Sequence, residues 1–335
     1  MSLKLDSHTT ISGFDFTFIN QFEINSSWEN LTDVATITIP KKLVYKRNGV
    51  RVDNITEGTN PVFKRGDAVT IRAGYDGKLT TRFNGFLSEI TPRLPLKFEC
   101  QDSLWKLKQV TVNKFSEKNV TLKSLLTAIM PADIPFTALD FTLGLFRVQK
   151  ATVAEVLDYL KKTYGIVSYF RDGTLVSGFA YITTDPLQLK IIPFQLDSNA
   201  DNKKGNVVDD TNLIYKKEDD VKIKVKAISI HPDNTRTEVD RGDEDGELRT
   251  LHFYDVSEAE LKRLADEKIS RLKYEGWRGS FTAFIEPEVK HGNAVKIKSL
   301  AFPEKDGIYL VKGVRTSVGV TEGGRQVITL DTKIS

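Results

Sequence analysis

The chain has 335 residues, too many for one ordinary domain and enough for two or three cores. With 40% hydrophobic and 28% charged residues it is not a disordered chain, and 48 basic against 45 acidic residues (formal charge +3) supply no general attraction for nucleic acid. The single cysteine, Cys100, excludes an internal disulfide framework and fits synthesis in a reducing cytoplasm. Met1 to Thr10 lacks the apolar core of a signal peptide, and no window approaches the ~18 apolar residues that cross a bilayer.

The first hundred residues alternate with the period of half-buried strands. Phe14, Phe16 and Phe18 are spaced by Asp15 and Thr17, and Ala35, Ile37 and Ile39 by Thr36 and Thr38. Ala68 to Tyr75 leads into Asp76-Gly77, a two-residue turn tolerant of positive φ, and a return strand runs from Lys78 to about Ile90. A strand over Leu96–Cys100 ends at Asp102, placed to cap a short helix over Ser103–Lys108. Residues 1–108 are therefore expected to form a small β-barrel or sandwich.

Helices dominate the next stretch. Thr121 caps one that ends before Pro131. Thr152 caps a stronger one over Val153–Tyr164, with Glu155 at the capping-box position, Val153, Val156, Leu157 and Leu160 on one face, and Gly165 as C-cap. Strands Ile166–Phe170 and Thr174–Gly178 turn at Asp172-Gly173. Residues 109–200 read as an α+β domain closed by a polar linker, Asp197 to Gly205.

Residues 201–335 return to β. In Val221–Ile230, Lys222, Lys224 and Lys226 alternate with Val221, Ile223 and Val225. Such a face is either an ordinary solvated one or one turned toward a channel or acidic partner. The acidic run Asp240–Gly246 fails the EF-hand register and reads as a solvated hairpin tip. Ser257, with Glu260 three residues on, caps an amphipathic helix over 257–275, and strands near 277–285, 294–298, 307–317 and 325–330 close the chain.

Two β segments match. Gly66-Asp67-Ala68-Val69-Thr70-Ile71 parallels Gly292-Asn293-Ala294-Val295-Lys296-Ile297, and an aromatic, Phe83 or Tyr309, follows each glycine at the same distance. Matching Gly85 to Gly313 requires two extra residues in the second copy. The pattern predicts a duplicated barrel, and three such chains would present six similar units around one axis.

Signatures of catalysis are lacking. There is no nucleophile elbow, no H-E-x-x-H and no phosphate-cradling loop, and His8, His231, His252 and His291 are scattered without metal-ligand spacing. Asp209-Asp210 and Glu286/Glu288 are the visible carboxylate pairs; each reads as a strand end, although a glycosidase pair is a spatial property.

In order and spacing the chain resembles the baseplate hub proteins of contractile-tailed phages (late-control-D-type tail proteins) and the hub part of type VI secretion spike proteins. The resemblance rests on Gly66-Asp67 with Phe83 to Ile90, on Phe98 to Leu107, on Val153 to Leu160 with Tyr164-Gly165 and Asp172 to Leu175, and on Ala265 to Gly276, Gly292 to Val295 and Gly307 to Val311. His291-Gly292-Asn293 departs from the family's frequent Pro-Gly-Asp. The resemblance implies a mainly β protein with two similar small β-barrels and a lateral α+β domain. It implies no cofactor, no metal and no catalysis, and a homotrimer whose six barrels form a pseudo-hexameric ring between a tail-tube protein and a spike protein supplied as a separate polypeptide. The lumen would pass DNA or effector cargo, and Lys222, Lys224 and Lys226 would face it. A receptor- or glycan-binding tail protein and a tail-associated cell-wall hydrolase are the rival readings.

Overall fold

In a computed structural model of the chain, residues 4–16, 21–39, 45–47, 50–52, 56–57, 60–61, 63–91, 95–179, 189–196 and 206–334 are described, with backbone alone between 45 and 61. Phe18 and the expected linker 197–205 lie outside these residues.

The N-terminal lobe contains β1 (Leu5–Ile11), β2 (Phe14–Phe16), β3 (Gln21–Ser27), β4 (Val34–Ile39), β5 (Tyr45–Arg47), β6 (Val50–Val52), β7 (Thr56–Glu57), β8 (Asn60–Pro61), β9 (Ala68–Tyr75), β10 (Lys78–Thr91) and β11 (Leu96–Gln101). The pair β7–β8 stands apart, and the others form a curled sheet in the order β3-β4-β11-β10-β9-β1-β2-β5-β6. The alternation seen in sequence puts Phe14, Phe16, Ala35, Ile37 and Ile39 inside, where they meet Phe22, Phe63 and Phe98. Cys100 is buried in the same core as a small apolar filler. The β9–β10 turn uses Asp76 and Gly77, both at positive φ.

A middle unit follows: α1 (Leu104–Leu107), β12 (Thr111–Thr121), α2 (Leu122–Ile129), β13 (Phe136–Ala138), β14 (Thr142–Thr152), α3 (Val153–Tyr164), β15 (Val167–Arg171) and β16 (Thr174–Gly178). Thr152 and Glu155 form the expected capping box, and Thr121, expected as a cap, forms one with Ser124. Gly165 closes α3 in the left-handed region at φ 68°. The ribbon β12–β14 escapes the sequence pattern because most of β12 is solvated on both faces and carries no alternation.

The remainder contains β17 (Ile191–Gln195), β18 (Val207–Asp209), β19 (Leu213–Lys216), β20 (Ile223–Ile230), β21 (Arg236–Gly242), β22 (Glu247–Tyr254), α4 (Glu258–Leu272), β23 (Gly276–Phe284), β24 (Ala294–Lys298), β25 (Gly307–Gly319) and β26 (Gly323–Lys333). Here the structure differs from the expected division into 109–200 and 201–335. Strand β17 runs parallel to β24 and sends Ile192 and Phe194 into the C-terminal lobe, ahead of the expected boundary. Strands β20–β22 with α4 form a separate sheet-and-helix unit around Val221, Ile223, Val225, Leu261 and Ala265, because β20 alternates toward α4 and not toward a barrel interior. The second lobe itself is β17, β18–β19 and β23–β26. The acidic run is no hairpin tip: β21 and β22 flank β20 on opposite sides, and the run crosses beneath the start of β20, where Asp243 accepts the Ile223 N–H at 2.9 Å.

The duplication is visible atom by atom. Gly66 N–H donates to Leu87 C=O at 2.8 Å and Leu87 N–H to Asp67 C=O at 2.8 Å; Gly292 and Val311 exchange the same bonds, at 2.8 and 2.9 Å, across Asn293. The Asp67 and Asn293 side chains accept the N–H of Lys64 and Lys290 at 2.8 and 2.9 Å. Bulges fall at matching places, Ser88 and Lys312.

This register overturns the pairing expected farther along. Phe83 lies opposite Ile71 and Gly307 opposite Ile297, so Phe83 corresponds to Gly307, Gly85 to Tyr309, and Gly313 to Glu89. The second copy is two residues shorter here, not longer. Aromatic and glycine have changed places: a Cβ on Gly85 would strike the Phe83 ring at 2.7 Å, and one on Gly307 the Tyr309 ring. Each lobe keeps one ring and one gap, so packed volume is conserved while the order reverses.

Gly66 and Gly292 sit at φ +90° and +76°, and a methyl on Gly66 would meet the Trp105 ring at 2.9 Å, whereas one on Gly292 would meet only the guanidinium of Arg171 at 3.1 Å. Gly66→Ala is expected to lower stability by about 2 kcal/mol and Gly292→Ala by about 1 kcal/mol, read from urea denaturation midpoints.

Candidate functional site

Strand β3 is the edge strand of one lobe and also the partner of the other. It pairs with β4 on one side and on the other with β25, antiparallel, from Gln21 opposite Gly319 to Ser27 opposite Gly313. The two sheets thereby become one, and Ile285 and Val318 of the second lobe enter the first lobe's core. Ser27 Oγ donates to Lys312 C=O at 3.0 Å, and Lys312 pairs with Glu29 at 2.9 Å.

Charged side chains fasten this junction from inside. A bulge in β10 makes Arg82 the extra residue between Thr81 and Phe83. Its side chain, only 3% exposed, is aimed at Glu286, with which it forms a close ion pair, and at Glu288 at 3.5 Å. The carboxylate pair noted in sequence is therefore engaged by a guanidinium from the opposite lobe. From the middle unit, Arg171 donates to the His291 C=O and Asp172 pairs with Lys290 at 3.1 Å. Apart from Glu286, these residues and Ser26 line a cleft of about 250 Å³ where the three units meet.

At its wall lies a carboxylate pair not singled out in sequence. Asp33 accepts from Ser26 Oγ at 2.6 Å and Ser27 N–H at 3.3 Å; Asp102 accepts from Leu104 N–H at 3.0 Å and Asp33 N–H at 3.2 Å. Asp102, expected as the cap of this helix, holds the first N–H of α1 from one residue before the N-cap, which is Ser103. Burial raises the Asp33 carboxyl to about 6 despite these donors, and burial together with the neighbouring Asp33 charge raises Asp102 to about 7. His291 is held down to about 3 by burial and by the nearby Arg171 and Lys290 charges, so its ring is neutral, edge-on to Tyr169 at 4.8 Å. Among the described residues no group of three or more His, Cys, Asp or Glu is arranged to hold a metal ion.

Lys222, Lys224 and Lys226 lie apart from this cleft. They pair with Asp245, Asp240 and Glu238, the second and third at 3.9 and 2.7 Å across to β21. Farther along β20, Ile228 and Ile230 are buried against the middle unit's core. Within the acidic run, Arg241 grips Asp266 through two 2.9 Å bonds and Asp243 pairs with Lys273 at 2.7 Å.

No family model matches the sequence, and no curated protein matches it. Solved structures do match over nearly the whole length. A tail protein from Neisseria meningitidis aligns at TM-score 0.62 and 15% identity, covering 98% of this chain and 96% of its own. The 43 kDa tail protein of prophage MuSo2 from Shewanella oneidensis aligns at 0.59 and 17%, covering 98% of each chain. The fold is that of phage tail proteins. The same tail-protein fold occurs in a type VI secretion component from E. coli, reported as similar to the T4 tail proteins gp27 and gp5. That match has TM-score 0.56 and 10% identity, over 99% of this chain and 77% of that one. Among the described residues no helix of this tail fold is long and apolar enough to cross a membrane.

The acid pair sets the sign of a pH dependence. Both carboxyls hold protons more tightly folded than in the unfolded chain, where each titrates near 3.8. Their stabilising contribution is full below about pH 4 and is lost as pH rises through 6 and 7. Thermal unfolding between pH 5 and 8 should show stability falling by roughly 3 kcal/mol. Asp102→Asn, neutral throughout, should flatten that slope.

Proposed function

We propose that this chain is the structural baseplate hub of a contractile phage tail or a related injection system. In this reading it is a homotrimer whose six barrel lobes form a pseudo-sixfold ring, which adapts the hexameric tail tube on one face to a trimeric spike on the other. It is made in the bacterial cytoplasm, assembles into the baseplate, and passes DNA or effector cargo through its lumen. The observation that carries the reading is the pair of lobes sharing one hydrogen-bond signature and joined edge to edge within one chain. Two equivalent units per copy turn threefold symmetry into sixfold symmetry on a single ring. The tail-protein fold of the neighbours agrees with this.

A non-enzymatic role fits the cleft. Glu286 and Glu288 are committed to Arg82, while Asp33 and Asp102 are spent on backbone and serine donors at a junction of units. Such use of carboxylates is structural, and neither cell-wall hydrolysis nor glycan binding gains a specific observation.

Light scattering on a sizing column should return three copies of 37.7 kDa, about 113 kDa, and tail-tube and spike proteins from the same gene cluster should be retained by the immobilised chain. A strict monomer that retains neither would defeat the proposal. A lumen-facing role for Lys222, Lys224 and Lys226 belongs to the same proposal. Their carboxylate partners leave the face without excess positive charge, so replacing all three by Gln should leave the trimer mass intact. Delivery of DNA or cargo by the triple variant should drop; unchanged delivery removes the role.

A further inference from the structure

The internal duplication specifies more than a count of lobes: it gives the two unused halves of a junction whose used form is visible within the chain. The register that equates Leu87 with Val311 also equates β11 with β26, since Cys100 lies opposite Leu87 and the Val311 partner is Leu330. Through their pairing with those strands, β4 corresponds to β23, with Ile37 matching Phe281. The strand outside β4 is β3, and those outside β23 are β18 and β19, so Ile24, opposite Ala35, matches Leu213, opposite Gly279. Both Ile24 and Leu213 point into their cores.

In the second lobe, β25 leaves β24 just ahead of its bulge at Lys312 and beyond it continues along β3. In the first lobe, β10 leaves β9 just ahead of its bulge at Ser88, and its continuation Glu89–Thr91 has no strand on that side among the described residues. The outer edge of β19 is likewise unmatched among them. Yet Ile214 on β19 is 58% exposed, and open strand edges with apolar side chains are the ordinary template for pairing with another chain.

We infer that β10 of one copy pairs antiparallel with β19 of a second copy, reproducing between chains the β25–β3 junction found within one. This inference rests on the hub reading for its closure at three copies. Transferring the internal register sets the partners. Gly313 opposite Ser27 becomes Glu89 opposite Lys216 of the second copy. Val314 opposite Ser26 becomes Ile90 opposite Tyr215, and Arg315 opposite Asn25 becomes Thr91 opposite Ile214. The chemistry suits the transfer: exposed Glu89 meets exposed Lys216, and half-buried Ile90 meets half-buried Tyr215. The contact is head-to-tail, so each copy offers one edge and receives on the other. Alternating this junction with the internal one repeats the same step from lobe to lobe, and a step that closes gives a ring.

The test co-expresses two full-length chains, one carrying Glu89→Cys and the other Lys216→Cys, under mild oxidation. Directly opposed strand residues lie ~4.5–5.5 Å apart at Cα, inside the range a disulfide spans, and the native Cys100 is buried. A reducible heterodimer band should appear for this pair and be lost for each variant alone and for Glu89→Cys with Lys150→Cys at an exposed site elsewhere. In a second arm, Lys216→Glu should shift the native mass toward monomer, and Glu89→Lys with Lys216→Glu should restore it. A 113 kDa assembly that neither cross-links here nor responds to the charge swap overturns the strand assignment and leaves the hub reading standing. A monomer under all conditions overturns both.

Discussion

Seven antiparallel residue pairs between β3 and β25 are the constraint on which the rest of the chain hangs. A curled sheet with an open edge has unpaired amides and carbonyls that must find partners. Here the edge of one lobe is satisfied by the other, so the lobes are held by backbone geometry and not by side-chain adhesion alone. Strand pairing at a shared edge also fixes rotation between the lobes more tightly than a packed face would, because slipping by one residue would turn Ile24 and Phe22 out of their core.

The polar residues around this seam follow from it. Where two barrels and the middle unit converge, the surfaces are concave and cannot be filled by apolar side chains without burying backbone ends. Arg82 bridges to Glu286 and Glu288, Arg171 reaches the His291 carbonyl, and Asp33 and Asp102 meet at the shared end where β4 begins and β11 stops. Confinement of two carboxyls in that corner makes them share poorly solvated space. The result is a pair of raised proton affinities with a mechanical origin, at a place that stiffens the relation between units. The α4 unit is attached differently: Ile228 and Ile230 plug β20 into the middle core, and the His252 ring lies over the Gly165 cap of α3.

Much of this was legible in the residues. The Thr121 cap, the capping box at Thr152, the αL glycine at 165 and the Asp76-Gly77 turn are local devices, and each formed where its spacing placed it. The Gly66-Asp67 and Gly292-Asn293 turns were legible for the same reason. Farther along, matching by aromatic residue failed: Phe83 and Tyr309 hold the same kind of site in the two lobes from positions two residues apart, each beside a glycine that clears its ring. A one-dimensional comparison sees residue types, whereas packing conserves volume. Arg82, Asp33 and the exposed ribbon β12–β14 gave no sign, since a bulge, a turn between units and a strand wet on both faces leave no periodicity.

The sequence by itself determined the β-rich class, the helices with their caps, the existence of a duplication and the poverty of catalytic motifs, all of them consequences of interactions within a few residues. Only the tertiary structure decided which strands share an edge, that β17 belongs with β24, that the Lys224 and Lys226 face is neutralised across β21, and that Glu286 and Glu288 serve a guanidinium from the other lobe. Those outcomes join residues up to nearly three hundred positions apart, where chain spacing carries no information about distance and the choice among partners is made by which edges and charges the packed lobes bring face to face.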